Sequence, residues 1–108
     1  MLPISADKVA EVIILARELD RGKAEFYAFI ERLSEDEQVG LVAIFWIGRG
    51  SFDAEDLAEA ISTAAAEATI PTADYLIGSP HLADHLESGL EALGVDSSEA
   101  EDDLYRKG

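Results

Sequence analysis

The side chain in this sequence best suited to bind a ligand is Arg49, a lone cation between Gly48 and Gly50 in a strongly acidic chain. A guanidinium beside glycine amides, just ahead of a helix start, can hold a carboxylate or a phosphate. Tyr75 or His81 would join it if the loops on either side of the fourth helix meet near Arg49. The sequence thus offers one candidate site for an anionic ligand or for a reaction.

A structural role accounts for the same arginine. Near the carboxyl end of the central helix, Arg49 can contact exposed carbonyls and pair with an acid such as Asp53 or Asp56. Arginine is a frequent organiser of ion pairs in proteins. The sequence therefore favours the structural interpretation over the ligand-binding one.

The two histidines, His81 and His85, form the second candidate. A spacing of four residues places both rings on one face of a helix, which is how a helix presents two imidazoles to a metal. Leu82 stands where the HExxH pattern of zinc proteases has its glutamate. Because a metal site needs four protein ligands, or three and a water, we expect surface histidines here and no cofactor.

Patterns typical of enzymes are otherwise missing from the sequence. Ser51 has no neighbouring histidine, and neither GxGxxG nor GxxxxGKS/T occurs. The chain has no cysteine, which excludes disulfides, thiolate metal sites and cysteine nucleophiles. These observations favour a protein that is not an enzyme.

The net charge of -15, from 23 acidic and 8 basic residues, limits the class of partner. Nucleic acids require a basic face, and anionic membranes attract basic segments, so both are unexpected partners. The amino end resembles no secretory signal, and the apolar run 39–47 is far shorter than the ~20 residues of a membrane helix. We expect a cytoplasmic protein. An acidic mimic of nucleic acid, capturing a basic protein, is an alternative.

Apolar spacing and helix-end signals predict an all-α fold. We expect a compact orthogonal or bundle-like domain of about five helices over residues 1–94, followed by an acidic, flexible tail over 95–108. The helix from Glu35 to Ile47 has almost no polar face and should be the buried centre. Ser34 and Glu37 form a capping box at its start, and the glycines after Ile47 end it.

Other local signals divide the remaining chain. Ser5 should cap a first helix that Gly22 stops, and a second helix should run from about Lys23 to Leu33. Asp53 should cap the fourth helix. Ser79 followed by Pro80 predicts the start of the last helix, which ends at Gly94.

The apolar surface of the first and central helices exceeds what a few short neighbours would cover. A symmetric homodimer is the commonest way to bury such an excess. We therefore predict a non-catalytic protein–protein interaction module that forms a homodimer or binds another protein.

Two stretches also carry a resemblance to a known family. They are LSEDEQVGLVAIFWIGRGSFD (33–53) and TADYLIGSPHLADHLESGLEALG (72–94), with MLPIS and the helix from Val9 to Arg17 as weaker support. The chain resembles DUF3775, a family of small bacterial proteins of unknown function. The resemblance implies a shared fold and no particular activity. The run around Trp46 and Arg49 matches the family pattern well, which implies that Arg49 matters for folding or for binding.

Overall fold

The computed structural model describes residues 2–95, and within them it contains six α-helices, one short 3-10 helix and no strand. The elements are α1 (Ala6–Arg17), α2 (Leu19–Glu31), α3 (Glu35–Arg49), the 3-10 helix (Ala54–Asp56), α4 (Leu57–Ala66), α5 (Thr72–Ile77) and α6 (Leu82–Ala92). The predicted all-α class is confirmed. The predicted acidic tail, apart from its first residue, lies outside the described residues. No described helix has both the length and the apolar character needed to cross a bilayer.

Helix α3 forms the centre of the domain, as predicted. The Ser34 hydroxyl accepts from the Glu37 amide at 3.1 Å, and the Glu37 carboxylate accepts from the Ser34 amide at 2.9 Å, which completes the capping box. Every residue from Gly40 to Ile47 is buried. Helices α4, α5 and α6 pack directly on α3, while α1 packs on α2 and α6, and α2 also packs on α5.

The crossing of α3 and α6 depends on two glycines. A Cβ atom on Gly48 would lie 1.6 Å from the carbonyl oxygen of His85, and one on Gly89 would lie 2.2 Å from that of Ile44. Each glycine therefore contacts the backbone of the opposite helix, and a side chain at either position would force the helices apart.

The end of α3 follows the glycine signal in the sequence. Gly50 adopts a left-handed conformation with φ of 91°, which other residues reach only at a cost. The amide of Gly50 donates to the carbonyl of Ile47 at 3.1 Å, and the amide of Ser51 donates to that of Trp46 at 2.9 Å. These bonds satisfy carbonyls that the helix end would otherwise leave open.

The first helix ends earlier than predicted. α1 stops at Arg17, and Glu18 leaves the helical region with φ of -117° and ψ of 28°. Gly22 was expected to separate the first two helices, but it lies inside α2 as a local kink with φ of -125° and ψ of 32°. The chain thus leaves the helical conformation twice, at Glu18 and again at Gly22, so the predicted break at Gly22 is present as a kink within α2. α1 packs on α6, while α2 packs on α5.

Two predicted helix caps are wrong. Ser79 does not cap α6, since its hydroxyl donates to the Tyr75 carbonyl at 3.2 Å and α6 begins only after His81. Asp53 stands before the 3-10 helix, but its side chain makes no capping bond. Both capping motifs are local patterns, and contacts with the neighbouring helical segment decide the actual boundary.

Candidate functional site

Two adjoining cavities run along one side of α3, between it, the end of α4 and α5. Their volumes are about 280 and 330 Å³. They share four lining residues, so they form one continuous groove, called here the α3–α5 groove: Val39, Ala68, Ile70 and Thr72. The core helix α3 therefore also provides the floor of a surface feature.

The first cavity of the groove is mainly apolar, whereas the second is polar and apolar in about equal parts. The groove floor is a stripe of α3 side chains, Val39, Val42 and Trp46, and its facing wall includes Ala68 and Ile70. The side chain of Ile70 is 55% exposed and is the one large hydrophobic residue in the described part of the chain that faces solvent. Ile70 therefore extends the apolar lining of the groove to the solvent boundary.

Trp46 is held firmly at one end of the groove. Its indole N–H donates to the Tyr75 hydroxyl at 2.9 Å, and its ring stacks on Phe52 with centroids 5.8 Å apart. The residue is only 9% exposed, as predicted for the buried central helix, yet one edge lines the groove. A buried tryptophan with a satisfied N–H is a rigid binding surface.

Tyr75 brings a donor to the same end. Its oxygen accepts from Trp46, and within residues 2–95 its hydroxyl hydrogen has no acceptor, so it remains available at the groove wall. The neighbouring Asp74 accepts from the Tyr27 hydroxyl at 2.7 Å, which ties α5 to α2. That hydrogen bond to the carboxylate raises the pKa of Tyr27.

The candidate residues Arg49, Tyr75 and His85 lie around the buried ring of Phe45. The Arg49 guanidinium carbon lies 5.1 Å from the Phe45 centroid, a cation–π distance. The rings of Tyr75 and His85 meet Phe45 edge-on, with centroids 6.2 and 5.6 Å away. The structure thus brings Arg49 and Tyr75 to one ring, although only Tyr75 lines the groove.

The expected partners of Arg49 are not the observed ones. Its Nε donates to the Ser51 hydroxyl at 3.1 Å. Among the described residues no carboxylate, including Asp53 and Asp56, forms an ion pair with it. The predicted pairing with Asp53 or Asp56 is therefore wrong, and the aromatic ring and the hydroxyl position the guanidinium. Its terminal nitrogens point to no protein acceptor in that part of the chain.

Gly48 and Gly50, the other two residues of the predicted site, differ in their surroundings. Gly48 lies at the α3–α6 crossing, against the His85 backbone. A Cβ on Gly50 would find nothing within 4 Å, so this position is constrained by its φ and not by contacts. A role for either in ligand binding stays a prediction.

The histidines do not share a helix face in the way predicted. His81 precedes α6 with φ of 57°, while His85 lies within the helix. Their ring centroids are 6.3 Å apart. Across residues 2–95 no group of three or more His, Cys, Asp or Glu side chains is placed to hold a metal ion.

The electrostatic character of the groove is negative. Glu67 lines the first cavity, and Glu35 and Asp36 line the second. No lysine or arginine lines either cavity. Arg49, one helical turn beyond Trp46, is the nearest cation along α3. Acidic walls on an apolar floor favour a partner that combines basic and apolar groups.

The sequence comparison identifies the family. The model of the family described as protein of unknown function (DUF3775) matches residues 23–95, about two thirds of the chain. The chain belongs to the DUF3775 family. Neither the curated proteins nor the solved structures contain a match to it. All residues of the α3–α5 groove lie inside the part that matches the DUF3775 model, whereas α1 lies outside it.

Sequence reasoning named Tyr75 as a site residue, but it assigned Trp46 to the core alone and missed the groove. Val39 and Val42 look like ordinary core positions, because the whole of α3 is apolar. The signal that could have pointed to the groove is Ile70, a large apolar residue before Pro71 in a segment that is exposed from Ala65 to Pro71. An apolar residue in such a connection often contacts something beyond its own helix.

Proposed function

We propose that this DUF3775 protein is a non-catalytic interaction module whose α3–α5 groove binds a basic amphipathic helix of a partner protein. The observation that carries the proposal is a continuous groove that joins an apolar cavity to an acidic one, with a solvent-facing Ile70 between them. Binding of the apolar face of a helix in such a groove is a recurrent mode of peptide recognition.

The dimensions of the groove favour an extended partner over a compact small molecule. Each cavity lies at the lower end of the ~300–1,000 Å³ range of small-molecule pockets. The two cavities follow α3 from Glu35 to Trp46, a distance of about 16 Å at 1.5 Å per residue. A helix of about three turns could place successive apolar side chains along that length.

The charge of the groove determines which type of partner helix it can bind. With acids on both cavities and a net charge of -15, the domain attracts basic segments and repels acidic ones. The same field disfavours nucleic acid in this groove. The interaction should therefore depend on salt as well as on apolar contact.

The predicted homodimer remains a second candidate occupant. It was predicted from the apolar surface of the first and central helices, and one chain already buries all residues of α3 from Gly40 to Ile47. A second copy would have to bring its own acidic surface to the groove. Sedimentation of the wild-type protein and of Ile70→Glu tests this occupant, since a dimer built on the groove should dissociate in the variant.

A direct test uses the fact that Trp46 is the only tryptophan of the chain. A synthetic amphipathic peptide of leucine and lysine at helical spacing should change the Trp46 fluorescence, and the change should saturate as the peptide concentration rises. A second peptide, in which glutamine replaces each leucine, carries the same charge without the apolar face. It should produce no saturable change, because the groove floor is apolar.

Two protein variants complete the experiment. Ile70→Glu should weaken binding of the leucine–lysine peptide at least about tenfold, because it puts a charge at the centre of an apolar contact. Ala24→Glu adds the same charge on an exposed position of α2 outside the groove and should bind as the wild type does. Equal binding of the two peptides would instead support charge capture by an acidic mimic. No response to either peptide would reject the groove as a binding site.

A further inference from the structure

The stripe of α3 residues that forms the groove floor continues beyond it at both ends. Glu35 precedes Val39 by four residues, Val42 and Trp46 follow at three and four, and Arg49 follows Trp46 at three. Residues with this spacing lie on one side of a helix. Glu35 and Arg49 therefore mark the two ends of the side of α3 that borders the groove.

The two ends carry opposite charges. Glu35 and Asp36 line the second cavity, and within residues 2–95 neither forms an ion pair. At the other end, Arg49 is exposed and likewise has no acidic partner in that range. It is also the only lysine or arginine between residues 33 and 105. The surface thus changes along α3 from acidic through apolar to basic.

The side chain of Arg49 is prepared to receive a carboxylate. The guanidinium lies over the Phe45 ring, and its Nε donates to the Ser51 hydroxyl. Among residues 2–95 the two terminal nitrogens have no partner, and their geometry suits a bidentate bond to a carboxylate. Because its position is already fixed, the guanidinium loses little conformational entropy when such a bond forms.

We propose that the α3–α5 groove binds a helical segment with charged ends of opposite sign. The basic end lies over Glu35 and Asp36, the apolar middle lies over Val42 and Trp46, and carboxylates at the far end bind Arg49. The segment spans about 21 Å, or about 14 helical residues at 1.5 Å per residue. This inference rests on the proposed function and adds the polarity of the partner to it.

The experiment compares two peptides with the same leucine face, both acetylated and amidated so that their ends are uncharged. The uniform peptide has lysines at both ends, and the bipolar peptide has lysines at one end and glutamates at the other. The measured quantity is the ratio of their dissociation constants, read from Trp46 fluorescence. In Arg49→Glu the preference for the bipolar peptide over the uniform one should fall at least about fivefold, because an attraction becomes a repulsion.

The matched control is Arg21→Glu, which makes the same change in net charge on an exposed residue of α2. It should leave the ratio unchanged within about twofold, since separated surface charges are screened at physiological salt. Arg49→Gln removes the charge without reversing it, so its ratio should lie between those of the wild type and Arg49→Glu. This variant also keeps the test valid if Arg49→Glu fails to fold.

The two proposals fail in different ways. If both peptides bind and Ile70→Glu abolishes the response, but the ratio is the same in the wild type, Arg49→Glu and Arg21→Glu, the groove stands and the polarity is wrong. If neither peptide binds the wild-type protein, the groove itself is rejected and the polarity with it.

Discussion

Replacing Gly48 with alanine should separate a packing role for this residue from a binding role. The added Cβ atom would lie 1.6 Å from the His85 carbonyl oxygen and 2.8 Å from the Gly89 amide nitrogen. Ordinary contact begins near 3.4 Å, so α3 and α6 would have to separate by more than an ångström. Both atoms belong to a helix backbone and cannot rotate away.

Two energetic effects oppose each other in Gly48→Ala. Alanine is better than glycine inside a helix by about 1 kcal/mol. Overpacking a close contact costs about 1–3 kcal/mol, and more where the neighbour is rigid. We expect the second effect to prevail and the free energy of unfolding to fall by about 2 kcal/mol. For a domain of this size that lowers the melting temperature by about 10 °C.

Urea denaturation followed by circular dichroism measures the change, and Gly78→Ala provides the control. Gly78 has an ordinary φ of -82°, and a Cβ there would lie 3.8 Å from its nearest neighbours. Gly78→Ala should therefore be as stable as the wild type or slightly more stable. If Gly48→Ala matched Gly78→Ala in stability, the close approach of α3 and α6 would be refuted.

Three further changes test single structural features, namely one backbone conformation and two hydrogen bonds. Gly50→Ala should lower the free energy of unfolding by about 1 kcal/mol, measured by thermal denaturation, because a φ of 91° strains a residue with a side chain. Gly50→Asn should lower it less. Equal stability of the wild type and both variants would contradict this prediction. The hydrogen bond from Lys8 lowers the pKa of Glu37, so the ionised form stabilises the fold above the ordinary carboxyl pKa. The stability advantage of the wild type over Glu37→Gln should thus vanish as the pH falls through that lowered pKa, and an advantage that grew in acid would be inconsistent. Tyr75→Phe removes the acceptor of the Trp46 N–H and should cost about 1 kcal/mol with a shift in fluorescence, whereas an unchanged spectrum would exclude the bond.

Local signals in the sequence were sufficient for the main helix. These signals are the capping box of Ser34 and Glu37, the unbroken apolar run and Gly50. Each of them determines the backbone conformation only within about one helical turn. Such signals need no knowledge of the rest of the fold. The central helix and its two ends were therefore predictable from the sequence.

Contacts between distant residues were not predictable in the same way. The role of Gly48 depends on where α6 crosses α3, 37 residues later at His85. The pairing of Arg49 with an acid was a reasonable expectation in an acidic chain, yet the side chain lies over Phe45. The groove needs α3, the end of α4 and Ile70 together, and nothing local indicates that these meet.

The close crossings of α3 also explain why the groove exists. Pro3 packs directly on Gly40, where a Cβ atom would lie 2.4 Å from the proline ring. Gly48 and Gly89 allow α6 to approach α3 to backbone contact. These contacts allow a small domain to cover an almost wholly apolar helix within one chain. What remains of the apolar surface is a narrow stripe, covered on one side by small alanines of α4 and bordered by Ile70. A stripe of that width suits one helix of a partner better than the broad face of a second copy.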